Sequence, residues 1–162
     1  MNTNLRHILV PVDFSRCSDH AVAYAAGLAK KVNASIDLLH VVVNPALAGG
    51  WGTEVYVPDL TALLASVATE AETRLAVAVA GLRGQGLAAS STVRQGIPEQ
   101  AIVDYATAGD VDLVILGSHG RTGLSHALLG SVAERVLRHA PCAVLTITDA
   151  AARHQIAQAP AA

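Results

Sequence analysis

The chain has 162 residues, of which 52% are hydrophobic and 3% aromatic, with 11 Lys and Arg against 13 Asp and Glu. That length suits one domain with an ample apolar core. The scarcity of aromatic rings argues against a stacking platform for single-stranded nucleic acid, and the net charge of −2 makes nucleic acid and anionic membranes poor partners. The sequence has no basic and then apolar leader and no apolar run of about 20 residues, so we expect a cytoplasmic protein without a membrane span.

Strand and helix patterns alternate along the chain. Short runs rich in Val, Ile and Leu predict strands, and apolar residues at helical spacing predict the helices between them. In the first helix we expect the apolar residues Ala21, Ala25, Leu28 and Val32 to share one face. In chain order the predicted elements are a strand over 7–13, a helix over 18–32, a strand over 35–43, a helix over 59–83, a strand over 87–94, a helix over 98–108, a strand over 111–116, a helix over 131–139 and a strand over 142–147.

Repeated strand–helix–strand units require right-handed crossovers, which place the strands parallel and the helices on both faces of the sheet. The sequence therefore predicts an α/β fold, a three-layer α/β/α sandwich around a five-stranded parallel sheet. The expected strand order is 3-2-1-4-5. This order reverses between strands one and four, so we expect a ligand crevice at the carboxyl ends of those two strands.

A glycine-rich segment follows the fourth strand and predicts a phosphate site. Residues 117–123 read Gly-Ser-His-Gly-Arg-Thr-Gly, and Gly130 and Ser131 open the last helix. Backbone N–H groups that glycine leaves bare, together with the positive end of a helix, attract phosphate oxygens. Glycines after a strand are also ordinary turn residues, which is the alternative that needs no ligand.

Ser131 has two interpretations. With Glu134 three residues later it matches a capping box, so we expect Ser131 to cap the last helix. Capping alone accounts for this serine, and a direct contact with a phosphate is the other interpretation. The first N–H groups of this helix are expected to face the glycine-rich segment.

Asp13 ends the first strand, within reach of the predicted crevice. Its carboxylate suits a ribose hydroxyl or a metal-bound water, so we predict a ligand-binding role with an indirect metal contact. The alternative is a turn residue that accepts hydrogen bonds from nearby backbone N–H groups. The simplest interpretation of the neighbouring Phe14 is a residue that covers the core. The simplest interpretation of Ser15 is a residue that helps to start the helix.

The motifs of several other site classes do not occur. The chain has no Gly-Lys-Ser or Gly-Lys-Thr of a Walker-type loop, and its first strand–helix turn, 13–16, lacks the glycines of a dinucleotide-binding enzyme. The seven histidines are dispersed, without the close spacing of metal ligands, and no serine lies in a Gly-x-Ser-x-Gly turn. We therefore predict no catalytic residue.

With these motifs in view, the sequence resembles the universal stress protein family from about His7 to Thr148. The resemblance is carried by residues 8–15, by the strand end at 40–42, and by the pattern Gly-x2-Gly-x9-Gly-Ser that ends at Ser131. That pattern is the ATP-binding signature of the family. The resemblance implies a Rossmann-like fold of the adenine nucleotide alpha hydrolase-like type. It also implies that this protein belongs to the ATP-binding branch of the family.

The resemblance also implies which residues meet the nucleotide. Pro11 and Val12 would line the adenine pocket, the main chain of Val41 would face adenine, and the glycine loop with Ser131 would hold phosphates and ribose. ATP is the expected cofactor, with Mg²⁺ as a companion ion. The candidate nucleotide-binding residues are Pro11, Val12, Asp13, Phe14, Ser15, Val41, Gly117, Ser118, His119, Gly120, Arg121, Gly130, Ser131 and Val132.

The predicted domain covers 1–148, and an Ala/Gln-rich tail covers 149–162. The expected function is ATP binding with a regulatory or stress-response role, in which the nucleotide alters shape or the choice of an unidentified partner protein and any hydrolysis is slow. The alternatives are a slow ATPase or another nucleotide-dependent enzyme, and a phosphoacceptor signalling domain. The last would need an acidic cluster after the first strand and a lysine after the fifth, and neither occurs.

A homodimer is predicted through the strand 142–147. In the expected order this strand lies at a sheet edge, yet it is apolar and lacks the charges that usually protect an edge. Two copies that pair antiparallel about a two-fold axis would satisfy its unpaired backbone groups. The family resemblance points the same way.

Overall fold

The computed structural model describes residues 5–43, 59–118 and 129–148. Strands and helices alternate through these ranges, as the sequence pattern predicts. They are β1 (His7–Pro11), α1 (Arg16–Val32), β2 (Ser35–Val43), α2 (Leu60–Gly84), β3 (Ala89–Gly96), α3 (Pro98–Ala108), β4 (Leu113–Gly117), α4 (Ser131–His139) and β5 (Ala143–Ile147).

The strands form one sheet in the order β3-β2-β1-β4-β5, and every neighbouring pair is parallel. Ile8 and Leu38 belong to the apolar core beneath α1 and α2. Leu9 and Leu39, each one position further along its strand, belong to a second core beneath α3 and α4. Successive side chains of a strand point to opposite faces, so the sheet is buried on both sides. The predicted three-layer α/β/α sandwich and its strand order are confirmed.

Every element begins and ends within two residues of the sequence prediction. Helix α1 starts at Arg16 rather than Ser18, because Ser15 is its N-cap and accepts a hydrogen bond from Ser18 N. The interpretation of Ser15 as a helix start is therefore confirmed. None of the described helices combines the length and the apolarity that crossing a bilayer requires.

The apolar face of α1 is buried over part of its width. Ala21 and Ala25 are buried and Ala29 continues their row, whereas Leu28 is half-buried and Val32 is 39% exposed. The alanines at every fourth position carry the contact with the sheet. Their small side chains let the helix axis approach the strands closely.

Asp37 of β2 accepts the hydrogen bonds that join three elements on the α3 face of the sheet. His7 Nε2 of β1 lies 2.8 Å from Asp37 Oδ2, the Tyr105 hydroxyl of α3 donates to the same oxygen at 3.0 Å, and Ser90 of β3 donates to Oδ1. Burial raises the pKa of Asp37, but the hydrogen bonds from Ser90, His7 and Tyr105 and the charge of His7 outweigh burial, so the pKa lies below its usual value.

Replacing Asp37 with asparagine should lower the free energy of unfolding at neutral pH by about 1–3 kcal/mol, since the charged acceptor of this network is lost. The folded state lowers the pKa of Asp37, so this stabilisation is complete above the unfolded carboxyl pKa of about 3.9 and disappears as the pH falls through the folded value. Denaturant unfolding should show the parent and the variant converging in acid.

The exposed Asp110 provides the matched control, because its positive φ of 48° is one that asparagine also adopts readily. Asp110→Asn should differ little from the parent at any pH. A stability difference between parent and Asp37→Asn that stays constant from pH 7 into acid would contradict the assignment.

Candidate functional site

The carboxyl ends of β1 and β4 lie side by side at the point where the strand order reverses. Their register pairs Ile8 with Leu113 and Leu9 with Val114. The β1 side of this edge continues into the half-buried Asp13, and the β4 side continues into the buried Ser118. Open parallel sheets bind ligands at such a reversal, so this edge is where the ligand crevice is expected, and the crevice stays a prediction.

The Asp13 carboxylate forms the turn that leads into α1. Its Oδ1 accepts hydrogen bonds from Ser15 N at 3.0 Å and from Ser15 Oγ at 2.6 Å. The Ser15 hydroxyl in turn accepts from Ser18 N at 3.3 Å. The turn interpretation of Asp13 therefore holds for Oδ1, and its ligand role stays a prediction.

Phe14 adopts a backbone φ of 63°, in the left-handed region that bulky residues rarely occupy. Its ring lies 4.6 Å from the His40 ring, centroid to centroid, and Arg74 Cζ of α2 lies 3.9 Å from the Phe14 centroid. His40 Nδ1–H donates to Val12 O at 2.6 Å. Phe14 packs against the core beneath α1 and α2, which confirms its interpretation as a core residue.

Sequence reasoning missed Arg74 as a neighbour of this edge. Arg74 belongs to a long exposed helix, and no local motif marks it. His40 offered a weak signal, since it is a polar residue between apolar neighbours in β2 and is only 6% exposed. A buried histidine of this kind requires a hydrogen-bond partner, which here is the Val12 carbonyl.

The main chain of Ser118 connects three elements at the β4 side of the edge. Ser118 N donates to Ile147 O at 2.8 Å, at the end of β5, and Ser118 O accepts from Gly130 N at 2.7 Å, at the start of α4. The two ends of the signature pattern are therefore in direct contact through the backbone.

Gly117 lies against the first turn of α1. A Cβ at this position would lie 2.8 Å from Cys17 Cβ and 3.0 Å from the Cys17 carbonyl carbon. The close packing of α1 on β4 thus accounts for a glycine here without a ligand. Its predicted role in nucleotide binding stays a prediction.

The start of α4 differs from the capping-box expectation. Gly130 is the N-cap, with φ −60° and ψ 148°, and Ser131 is the first helical residue. Glu134 N donates to Gly130 O at 2.9 Å, and the Glu134 carboxylate pairs with Arg138 at 2.8 Å instead of returning to the helix start. The expectation that Ser131 caps this helix is wrong, because the helix begins one residue earlier.

The other candidate residues have defined places or lie outside the described ranges. Pro11 ends β1 and is half-buried, Val12 is buried in the core beneath α1 and α2, and Val41 and Val132 pack at the core beneath α3 and α4. Three predicted phosphate-loop residues, His119, Gly120 and Arg121, lie outside the described residues.

Asp13 is the one candidate metal contact from the sequence. Among the described residues, no three His, Cys, Asp or Glu side chains gather in a group that could hold a metal ion. A single carboxylate fits Mg²⁺ only as a partner of waters and phosphate oxygens, which is how Mg²⁺ commonly binds with nucleotides. The donor set therefore suits an indirect contact.

Replacing Gly117 with alanine should lower the free energy of unfolding by about 1–3 kcal/mol, because the added Cβ overlaps Cys17 and its backbone. Gly81 in α2 is the matched control, since no atom lies within 4 Å of a Cβ built there. Gly81→Ala should raise the free energy of unfolding by roughly 0.5–1 kcal/mol, because alanine has the higher helix propensity. Denaturant unfolding without nucleotide measures both variants, and a Gly117→Ala protein as stable as the parent would show that the contact is not tight.

The all-parallel strand order, which reverses between β1 and β4, defines a doubly wound α/β protein of the Rossmann-like class. In a comparison with protein families, residues 4–148 match the Universal stress protein family. The match covers most of the chain and includes both ends of the signature pattern. The chain belongs to the universal stress protein family.

Individual relatives agree with this assignment. The chain is 32% identical over 149 residues to the universal stress protein MJ0531 of Methanocaldococcus jannaschii, covering 88% of this chain and 81% of the relative. Among solved structures, universal stress protein UspA from Lactobacillus plantarum is 29% identical with a TM-score of 0.78, over 90% of this chain and 99% of that one.

A more distant structure contains a nucleotide. The universal stress protein from Archaeoglobus fulgidus was solved in complex with dAMP, and it is 24% identical with a TM-score of 0.61 over 89% of this chain and 98% of that one. At this identity the likeness concerns the fold.

Proposed function

We propose that this protein is a cytoplasmic ATP-binding protein whose nucleotide occupancy serves a regulatory or stress-response role through a partner protein. The observation that carries the proposal is the hydrogen bond of 2.7 Å from Gly130 N to Ser118 O. It brings together the two ends of a signature that residues 119–129 separate in the chain. The nucleotide-bound Archaeoglobus fulgidus protein supports the ability of this fold to hold an adenine nucleotide.

The adenosine part of ATP is proposed to lie over the ends of β1 and β2. Pro11 pairs with Leu39, and Val12 N continues that register by donating to Leu39 O at 2.8 Å. Val41 lies two residues beyond Leu39 in β2, and Asp13 lies two residues beyond Pro11 in the turn after β1, so both are proposed to face the adenosine. A carboxylate beside an exposed strand end suits a ribose hydroxyl next to an adenine edge held by the Val41 main chain.

The phosphates are proposed to lie at the start of α4. No side chain of the described residues caps this helix, and its N-cap is a glycine. The backbone N–H groups of a first turn and the positive end of the helix dipole favour phosphate there. Gly130 and Ser131, with Gly120 and Arg121 of the signature, are the proposed contacts.

Asp13 is proposed to hold Mg²⁺ indirectly when a nucleotide is bound. The ion would supply charge neutralisation for the phosphates. The Ser15 hydroxyl donates to Asp13 and caps α1, so it serves the turn. Binding rather than fast catalysis is therefore the proposed primary activity, and slow hydrolysis is the second candidate.

Two substitutions at Asp13 separate the ligand role from the turn role. Asp13→Asn keeps an oxygen that accepts from Ser15 but removes the charge, so we expect an unchanged melting temperature without ligand and a loss of about 1–3 kcal/mol in ATP binding. Asp13→Ala removes both the accepting oxygen and the charge, so it should weaken ATP binding and also lower the melting temperature without ligand. Titration calorimetry and thermal melts measure the two effects. An Asp13→Asn variant with parental affinity would refute the ribose and metal contacts.

We also propose a homodimer through β5. Among the described residues, β4 is the one strand that pairs with β5, and Val144 and Leu145 are half-buried. Leu137 of the neighbouring α4 is 51% exposed. An unpaired apolar edge of this kind is suited to pairing with a second copy.

The hydrogen bonds of β5 decide which residue tests the dimer. Ile147 O accepts from Ser118 N, so Ile147 and Leu145 point their backbone groups toward β4, and Thr146 points to the open edge. Thr146→Pro should therefore keep the fold and abolish the dimer, whereas Leu145→Pro should damage the sheet itself. Light scattering at micromolar concentration and circular dichroism measure both. A monomeric parent would overturn the dimer, and a dimeric Thr146→Pro would move the interface elsewhere.

A further inference from the structure

The Asp13 turn depends on a residue in an unfavourable backbone conformation. Phe14, the next residue, has a φ of 63°. A bulky side chain keeps such a backbone only where its surroundings fix it. The contacts of Phe14 therefore bear on the position of Asp13.

Two side chains from different elements hold Phe14. The His40 ring of β2 lies 4.6 Å from the Phe14 ring, and His40 Nδ1–H is bonded to Val12 O, one residue before Asp13. The Arg74 guanidinium of α2 lies on the Phe14 ring, 3.9 Å from its centroid. A guanidinium at this distance is attracted by the negative face of the ring.

These contacts lie on the opposite side of the sheet from the side chain of Val41. Val12 and Phe14 pack with the core beneath α1 and α2, and Val41, the proposed adenine neighbour, packs with the core beneath α3 and α4. Arg74 forms no ion pair or hydrogen bond with another described residue. The contact of its guanidinium with the Phe14 ring is therefore the interaction that its charge makes within the described residues.

We propose that Arg74 is a positioning residue for nucleotide binding. Its guanidinium fixes Phe14, and Phe14 fixes the Asp13 carboxylate in the geometry that meets the nucleotide. This inference rests on the proposed ATP-binding function. Arg74 itself does not touch the ligand, and it acts through the strained residue between Val12 and the cap of α1.

The first test measures ATP affinity by calorimetry in the presence of Mg²⁺. Arg74→Gln should weaken ATP binding about two- to fivefold, the worth of an exposed cation–π contact. Arg74→Lys keeps a cation over the ring and should restore most of the affinity. Arg83→Gln makes the same change of net charge in the last turn of α2, nine residues beyond Arg74, and should leave the affinity at the parental value. An equal loss in Arg83→Gln would assign the effect to long-range attraction and overturn the inference.

The second test asks whether Arg74 acts through Asp13. In an Asp13→Asn background, Arg74→Gln should cause no further loss of ATP affinity, because the group that it positions no longer carries charge. An equal loss in both backgrounds would overturn the inference. A merely structural role would lower the ligand-free melting temperature of Arg74→Gln and leave its affinity unchanged. If the parent binds ATP and Arg74→Gln binds it with the same affinity, the positioning role alone is overturned. If the parent binds no ATP, the proposed function is overturned as well.

Discussion

Two backbone hydrogen bonds of Ser118 hold the carboxyl edge of the sheet together. Its N–H donates to the end of β5 and its carbonyl accepts from the start of α4, while its side chain is 2% exposed. Buried backbone groups must find partners, and here each partner belongs to a different element. Together with the packing of α4 on the core, these bonds fix the start of α4 relative to the end of β4, where the phosphate contacts are proposed.

The fold follows from local patterns that agree with one another. The strand over 35–43 is bounded as predicted because a mainly apolar run follows the end of α1, where Asn33 takes a left-handed backbone. Helix α3 begins at Pro98, which lacks the N–H that the first turn cannot use. Repeated units of this kind leave few possible topologies, so the strand order was predictable from the sequence.

The errors arise where two residues compete for one role or where distant elements meet. Glycine and serine both serve as N-caps, so the sequence alone did not decide between Gly130 and Ser131. The contact of Gly117 with Cys17 joins β4 to α1, and the contact of Arg74 with Phe14 joins α2 to the end of β1. Such pairs depend on how layers pack, which periodicity within one element does not encode. The family resemblance supplied adenine, which the residues alone did not name.

Residue 14 carries a side chain that its backbone does not favour. Glycine and asparagine adopt a φ of 63° more readily than phenylalanine does, so selection for stability alone would place one of them there. Neither offers an aromatic face to His40 and Arg74. Natural sequences tolerate a local loss of stability where function gains from it. A search for stabilising substitutions would therefore select position 14 early, and the stabilised protein would lose the ring that joins α2 to the edge.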